Sequence, residues 1–335
     1  MNEFLSRRRF LRQSFAFSAL TALGSLPSLA KLPSPHPGAS HWLMVGDWGY
    51  ENFTAQKAVA AAMQRYVHEH SLKTDALLML GDNWYGPLPG GVASPRWTKQ
   101  FEEMYPVGVF DCPAYAVLGN HDYQRMPESK VDAELAYAKK GGTRWTLPSR
   151  WYRFEFPAAT PLVTVLALDS NVFHPMSDRA KRENFTLTPE EQAEQLRWLK
   201  AELEKLRQTP YLIVMAHHPI YSNGPHGDHA TLIAEWEPLL REHKAHLYLA
   251  GHDHDMQHLE FDGHPTSFVL SGGGGADLYT LKIEEAQRGP YAAKVYGFSH
   301  LQIAPDKLTL LHLDTSGHVI HGFTKTPSGE VQMLS

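Results

Sequence analysis

Five short apolar runs in this chain each close in a turn that carries oxygen or nitrogen donors, and this recurrence narrows the possible folds most. Trp42 to Val45 runs into Gly46-Asp47, Ala76 to Leu80 into Gly81-Asp82, and Tyr115 to Leu118 into Gly119-Asn120-His121. Leu212 to Met215 runs into Ala216-His217, and Leu247 to Leu249 into Ala250-Gly251-His252. Unbroken apolar runs of this length suit strands buried on both faces. Trp151 to Phe156, Leu162 to Leu168 and Ser267 to Leu270 read as further strands. From His300 onward, segments such as Leu308 to Leu313 and Val319 to Phe323 alternate as antiparallel hairpins do.

Helical patterns lie between these runs. Thr54 to His70 is rich in alanine, and Thr188-Pro189-Glu190-Glu191 combines a cap, a first-turn proline and a capping-box glutamate. Leu196, Leu199, Leu203 and Leu206 follow at helical spacing and are expected in the core. Strands alternating with helices specify an α/β protein. No stretch after Ser40 has the composition of a disordered linker, and no internal repeat is visible. The expectation is one domain over residues 41–335 with a two-part sheet core.

The balance of charge excludes some functions. Lys plus Arg number 31 against 36 Asp plus Glu, for a formal net charge of -5. Without a basic cluster past the N-terminus, neither clamping of duplex DNA nor polybasic membrane binding is expected. A single cysteine excludes an intramolecular disulfide framework and a cysteine-rich zinc site. Twenty histidines point towards a metal.

The N-terminus reads as an address. Ser6-Arg7-Arg8-Arg9-Phe10-Leu11-Arg12 precedes an apolar stretch from Ser14 to about Ala30, with Ser28-Leu29-Ala30 as a small-x-small cleavage site. This is a twin-arginine export pattern over residues 1–30, followed by an extended leader over 31–40. The apolar run is short for a membrane span. A cleaved signal, the twin-arginine export machinery as partner, a periplasmic or secreted location and no permanent membrane anchor are expected. Asn52-Phe53-Thr54 and Asn184-Phe185-Thr186 are then chance sequons.

The donor clusters lie just past strand ends, where open α/β sheets build their sites. They supply Asp47, Asp82, Tyr85, Asn120, His121, His217, His252 and His254 without a thiolate. Such a set suits Fe, Mn or Zn. The order Gly46-Asp47-Trp48-Gly49, Gly81-Asp82-Asn83-Trp84-Tyr85, Gly119-Asn120-His121-Asp122, Val214-Met215-Ala216-His217 and Gly251-His252-Asp253-His254 resembles the calcineurin-like metallophosphoesterases. Tyr85, three residues after Asp82, makes it most similar to the small, tartrate-resistant purple acid phosphatases. The resemblance runs from about residue 41 to about residue 280.

The resemblance implies two mixed β-sheets packed as a sandwich between helices, and a dinuclear metal centre. Iron(III) would be held by Asp47, Tyr85 and His254, and a divalent Fe, Zn or Mn by Asn120, His217 and His252. Asp82 would bridge them. A carboxylate can span cations about 3.5–4 Å apart. A trivalent ion can hold a phenolate at acidic pH, and neutral Asn120 suits a divalent occupant. His121, with Asp122 beside it to orient the imidazole, and His226 are candidates to bind a phosphate oxygen or protonate a leaving group.

The expected activity is acid hydrolysis of phosphate monoesters by a metal-activated hydroxide. A phosphodiesterase on nucleotide or lipid-type diesters is the alternative, and a non-catalytic phosphate- or metal-binding protein a remote one. His218 and His229 read as ordinary loop histidines. Trp48, Trp84 and Tyr123 read equally as core or as pocket wall. Gly272 to Gly275 reads as a place where backbone passes close to the metals. Asp169-Ser170 ends a strand with no histidine partner that the sequence can assign.

Overall fold

The computed structural model describes residues 38–124, 130–172, 186–283 and 288–334. The export-signal reading and most of the loop from Pro175 to Thr188 lie outside the described residues. The described residues belong to one compact unit.

Two sheets carry the fold. The first contains β1 (Ser40–Val45), β2 (Ala76–Met79), β3 (Ala114–Ala116) and β4 (Trp145–Thr146), together with β12 (Gly297–Ile303), β13 (Leu308–Asp314), β14 (Val319–Lys325) and β15 (Val331–Met333). Its order is β15-β14-β13-β12-β1-β2-β3-β4. The second contains β5 (Tyr152–Phe156), β6 (Val163–Ala167), β7 (Tyr211–Met215), β8 (Leu247–Ala250), β9 (Met256–Leu259), β10 (Ser267–Ser271) and β11 (Pro290–Ala293), ordered β11-β9-β10-β8-β7-β6-β5. Each sheet has a parallel part. β1, β2, β3 and β4 run together in the first, and β6, β7, β8 and β10 in the second. The C-terminal meander adds antiparallel strands beside β1.

The sheets face each other. Trp42 of β1 meets Phe156 of β5 edge-on, Tyr115 of β3 stacks on Phe154 at 3.8 Å, and His258 of β9 stacks on Phe323 of β14 at 3.8 Å. Among the described residues the α-helices are α1 (Thr54–Glu69), α2 (Asn120–Tyr123), α3 (Lys130–Lys139), α4 (Pro189–Glu204), α5 (Ala230–Glu235) and α6 (Glu237–Glu242). Leu199 and Leu203 of α4, Leu232 of α5 and Leu240 of α6 join Leu166, Leu212, Val214, Tyr248 and Phe268 in a core over the outer face of the second sheet. Tyr66 of α1 packs on Phe298 of β12 in the first sheet. The result is the two-sheet sandwich flanked by helices that the resemblance implied.

α4 begins as its sequence dictates. The Thr188 hydroxyl accepts the Glu191 N–H at 3.2 Å, and the Glu191 carboxylate accepts the Thr188 N–H at 2.9 Å. A cap of this kind contributes about 1 kcal/mol. The leucine stripe is shorter than expected. α4 ends at Glu204, Lys205 turns to an extended backbone, and Leu206 is 84% exposed instead of in the core. The pairing partners β9 and β11 had no reading in the sequence, because their runs are short and mix polar with apolar residues.

Several histidines are structural. His300 of β12 lies between the Tyr66 hydroxyl (2.9 Å) and His41 Nδ1 (3.0 Å). His312 of β13 contacts the Ser299 hydroxyl at 2.7 Å and the Gln257 carbonyl at 3.2 Å. Burial pushes both imidazoles down to about 3. Unfolding would let each take a proton near its ordinary pKa of about 6.5. Stability is therefore full above about pH 6.5 and falls towards pH 3, by about 1.4 kcal/mol per pH unit for each histidine. Thermal unfolding between neutral and mildly acid pH should show this loss, and His312→Gln should shrink it. An acid loss that His312→Gln leaves unchanged would contradict the assignment.

Candidate metal centre

Every motif turn read from the sequence lies at the carboxyl end of a parallel strand. β1 delivers Asp47, β2 delivers Asp82 and Tyr85, β3 leads into Asn120 and His121, β7 delivers His217, and β8 delivers His252 and His254. Asp47, Asp82 and His252 have positive φ, at 58°, 51° and 72°. Three strand ends thus hold a non-glycine residue in the left-handed region, at a cost of order 1–3 kcal/mol each. That strain turns the chain sharply enough to aim each side chain back across the sheet ends.

The first group is Asp47, Asp82 and His254, all buried, with donor atoms within 4.8 Å of one another. The Tyr85 hydroxyl joins it, 3.2 Å from Asp47 Oδ1 and 3.0 Å from His254 Nε2. The second is formed by His217 Nε2, 3.1 Å from Asn120 Oδ1 and 3.2 Å from His252 Nδ1. Asp82 Oδ1 lies 3.4 Å from His217 Nε2, so this carboxylate stands between the groups. All seven expected ligands converge.

The surrounding bonds fix which atom each residue presents. His217 Nδ1 contacts the Leu80 carbonyl at 2.9 Å, and His254 Nδ1 contacts the Asp277 carbonyl at 2.7 Å. A carbonyl only accepts, so both Nδ1 atoms carry hydrogen and Nε2 is the inward nitrogen that would be left to a metal, as in metal-ligating histidines. Asp47 Oδ2 accepts the His252 N–H at 2.8 Å, and Asp82 Oδ1 accepts the His121 N–H at 2.8 Å.

The electrostatics fit cations. Burial, with Asp82 nearby, raises the Asp47 carboxyl well above the usual carboxylate range. Burial, with Asp82 and Asp47 alongside, holds the Tyr85 hydroxyl well above the usual phenol range. Burial works against charge on both members of the Asp82–His217 pair; their mutual attraction overcomes it, lowering Asp82 and raising His217 to about 9. Buried acids and inward lone pairs at contact distance are costly without positive charge among them.

Two cationic side chains clamp the Tyr85 loop. Arg96 donates to the carbonyls of Tyr85 and Pro87 at 2.7 Å and of Gly49 at 2.8 Å. Lys130 donates to the Trp84 and Gly86 carbonyls at 2.8 and 2.9 Å. Neither was recognisable from sequence. Trp48 and Trp84 are fully buried in an aromatic cluster with Trp97, Trp145 and Phe101, so they are core beneath the site.

The expected role of Asp122 is corrected. It is buried, accepts the N–H groups of Gly119, Asn83 and Trp84, and so ties the β2 and β3 turns together. His121 takes its contact from Gln124 Oε1 at 3.0 Å and packs on the Tyr85 ring at 4.1 Å. An aspartate in the first turn of a helix bonds free N–H groups more readily than a neighbouring side chain. For His226 the structure supplies the orienting acid that the sequence did not: Asp253 Oδ1 lies 2.6 Å from Nδ1. The His226 ring packs on His252 at 4.2 Å, with its side chain 43% exposed. His229 is buried and caps α5, and Tyr123 bonds Asp169 at 2.5 Å.

The glycine run does bring backbone close. A Cβ on Gly272 would lie 2.1 Å from the Asp253 carbonyl oxygen and 2.9 Å from Asp47 Oδ2. One on Gly119 would lie 2.2 Å from both the backbone nitrogen and Oδ1 of Asp82.

The calcineurin-like phosphoesterase family model matches residues 41–256. The chain is 30% identical to human tartrate-resistant acid phosphatase type 5, over 87% of this chain and 91% of that one. It is 30% identical to purple acid phosphatase 7 of Arabidopsis thaliana, over 89% and 90%. Among solved structures, the yellow lupin purple acid phosphatase PPD1 aligns with a TM-score of 0.64 at 16% identity, over 88% of this chain and 55% of that one. GAP50, the anchor in the inner membrane complex of Plasmodium, aligns at 0.69 with 19% identity over 89% of each. At such identities these structures speak for the fold alone.

Because Gly119 touches Asp82, Gly119→Ala should displace the shared carboxylate and lower the metal bound per chain while circular dichroism stays unchanged. Full metal content and normal turnover in that variant would contradict this packing.

Proposed function

The chain belongs to the calcineurin-like phosphoesterase family, in its purple acid phosphatase branch, and from that premise we propose a mixed-valence centre acting on phosphate monoesters. The protein is a metal-dependent acid phosphatase, a phosphoric ester hydrolase. The observation that carries the finer reading is the unequal donor sets. Asp47, Tyr85 and His254 would hold iron(III), Asn120, His217 and His252 a divalent Fe, Zn or Mn, and Asp82 both. Two acidic oxygens favour the higher charge, and a neutral amide with two imidazoles favours the lower. The bound ions would supply Lewis acidity, activating water and neutralising the phosphoryl oxygens.

The protein groups do the rest. The His252 and His121 N–H groups pin the carboxylates of Asp47 and Asp82, so the donors need no rearrangement when substrate arrives. His226, held through Nδ1 by Asp253, presents Nε2 outward and is the group to protonate the leaving alcohol. His121 packs over the Tyr85 ring and is a second candidate to bind a phosphate oxygen. Ser222 also bonds Asp253, which is fully buried and so has few other ways to turn.

The arginine-rich start, with its apolar stretch and Ser28-Leu29-Ala30, supports twin-arginine export and a periplasmic or secreted location. Among the described residues no helix is long and apolar enough to cross a membrane.

Hydrolysis of an aryl phosphate and of its bis-aryl diester, compared on metal-loaded protein, tests the substrate class. The monoester should be turned over faster; a diester preference would replace the monoester reading and leave the metal centre as described. Tyr85→Phe should abolish a visible phenolate-to-iron(III) absorption band and keep part of the activity. A variant that stays coloured would overturn Tyr85 as a ligand.

A further inference from the structure

The centre contains a histidine that the reaction as described does not use. His218 follows His217 at the end of β7. Its ring lies 4.2 Å from the His252 ring and 5.0 Å from the His217 ring, centre to centre. One ring nitrogen from each of the three lies within 4.8 Å of the others. Geometry alone admits two roles: a third imidazole on the metal, or a hydrogen-bond donor beside it.

Ser170 decides between them. Its hydroxyl is fully buried at the end of β6. Ser170 Oγ accepts the His218 backbone N–H at 2.7 Å and lies 2.9 Å from His218 Nδ1. Among the described residues these are its contacts. A backbone N–H only donates, so the hydroxyl hydrogen is free for Nδ1. If Nδ1 instead carried the hydrogen, the serine hydrogen would be buried with no acceptor among the described residues, a costly arrangement. Ser170 therefore makes Nδ1 the acceptor and leaves hydrogen on Nε2. A protonated Nε2 is not a ligand. The backbone is equally fixed, since Tyr248 donates to the His218 carbonyl at 2.7 Å and Pro219 follows. The Nδ1 edge lies against buried Ser170 and the residue is part-exposed, so Nε2 is the nitrogen left for a ligand.

We propose that His218 is a substrate-binding residue of this centre, its Nε2–H donating to a phosphoryl oxygen of the bound ester and its tautomer set by Ser170. The assignment rests on the phosphatase reading. It adds an imidazole N–H donor on the His217–His252 side. The strand-end pair Asp169-Ser170 thereby gains a use: the serine is fully buried and holds His218.

The test compares wild type with His218→Phe, His218→Gln and Ser170→Ala, each loaded with metal. Metal per chain is measured by elemental analysis, inorganic phosphate affinity by calorimetry, and KM and kcat with an aryl phosphate. Phenylalanine keeps the ring without the donor. It should retain the wild-type metal content and weaken phosphate about tenfold or more, the effect of losing one hydrogen bond to a charged group. Glutamine, whose amide nitrogen reaches nearly the position of Nε2, should restore most of that affinity. Loss of one metal per chain in His218→Phe would make His218 a ligand and overturn the proposal. Full metal with unchanged phosphate affinity would overturn it as well. Should His218→Phe fail to fold, Ser170→Ala keeps the ring and releases the tautomer. A smaller weakening of the same sign is then expected, and unchanged affinity would overturn the proposal. Wild type that binds phosphate but hydrolyses no ester would instead defeat the phosphatase reading, leaving the affinity comparison to judge His218 separately.

Discussion

The carboxylate of Asp82 is the point on which the rest of the structure depends. It sits at the end of a central strand, nearly inaccessible to solvent, between two groups of electron-pair donors. A buried anion must be met by hydrogen bonds and positive charge or it will not stay ionised. The His121 N–H and the His217 imidazole lie against it, bound metal ions would supply the charge, and Gly119 gives up its side chain so that the next turn can reach it. Three segments from two sheets are therefore held together by one carboxylate, and the same contacts fix where the metal ions would bind.

The sandwich explains how such a site can be rigid. Parallel strands in both sheets point their carboxyl ends to one edge, and each turn there is short. Asp47, Asp82 and His252 adopt left-handed backbone that costs energy locally. That cost is met by the core below, where Trp48, Trp84, Trp97 and Trp145 interlock and Arg96 and Lys130 tie down the carbonyls of the tyrosine loop. Trp48 and Trp84, which the sequence left equally as core or as pocket wall, are the foundation of the turns that carry the donors.

The convergence of the donor residues was legible because their clusters follow apolar strands, so chain order reports spatial position. Contacts that bridge distant segments were not legible. Asp253 reaches His226 across 27 residues and Ser170 reaches His218 across 48, and no local pattern encodes either pairing. Asp122 misled for the converse reason: adjacency to His121 suggested a contact, but its place in the first turn of a helix committed it to backbone N–H groups. Leu206 failed similarly, since helical spacing continues in the sequence one residue past the point where Lys205 leaves the helix. The α/β layering came through because it depends on runs of residues; β9 and β11 did not, because their identity lies in pairing.

Histidine serves two opposed ends in this chain. In the sheets, His300 and His312 are neutral, hydrogen-bonded core residues whose burial makes protonation costly. At the strand ends, His217, His252 and His254 present lone pairs, while His226 and His218 face the opening from the same edge. The difference lies in what occupies the second ring nitrogen. A carbonyl on Nδ1 leaves Nε2 fit to hold a metal, as at His217 and His254; a serine hydroxyl that must give its hydrogen to Nδ1 leaves Nε2 a donor, as at His218. Residue type thus reports only that nitrogen is available. The atom bonded behind each ring decides whether it binds metal or substrate.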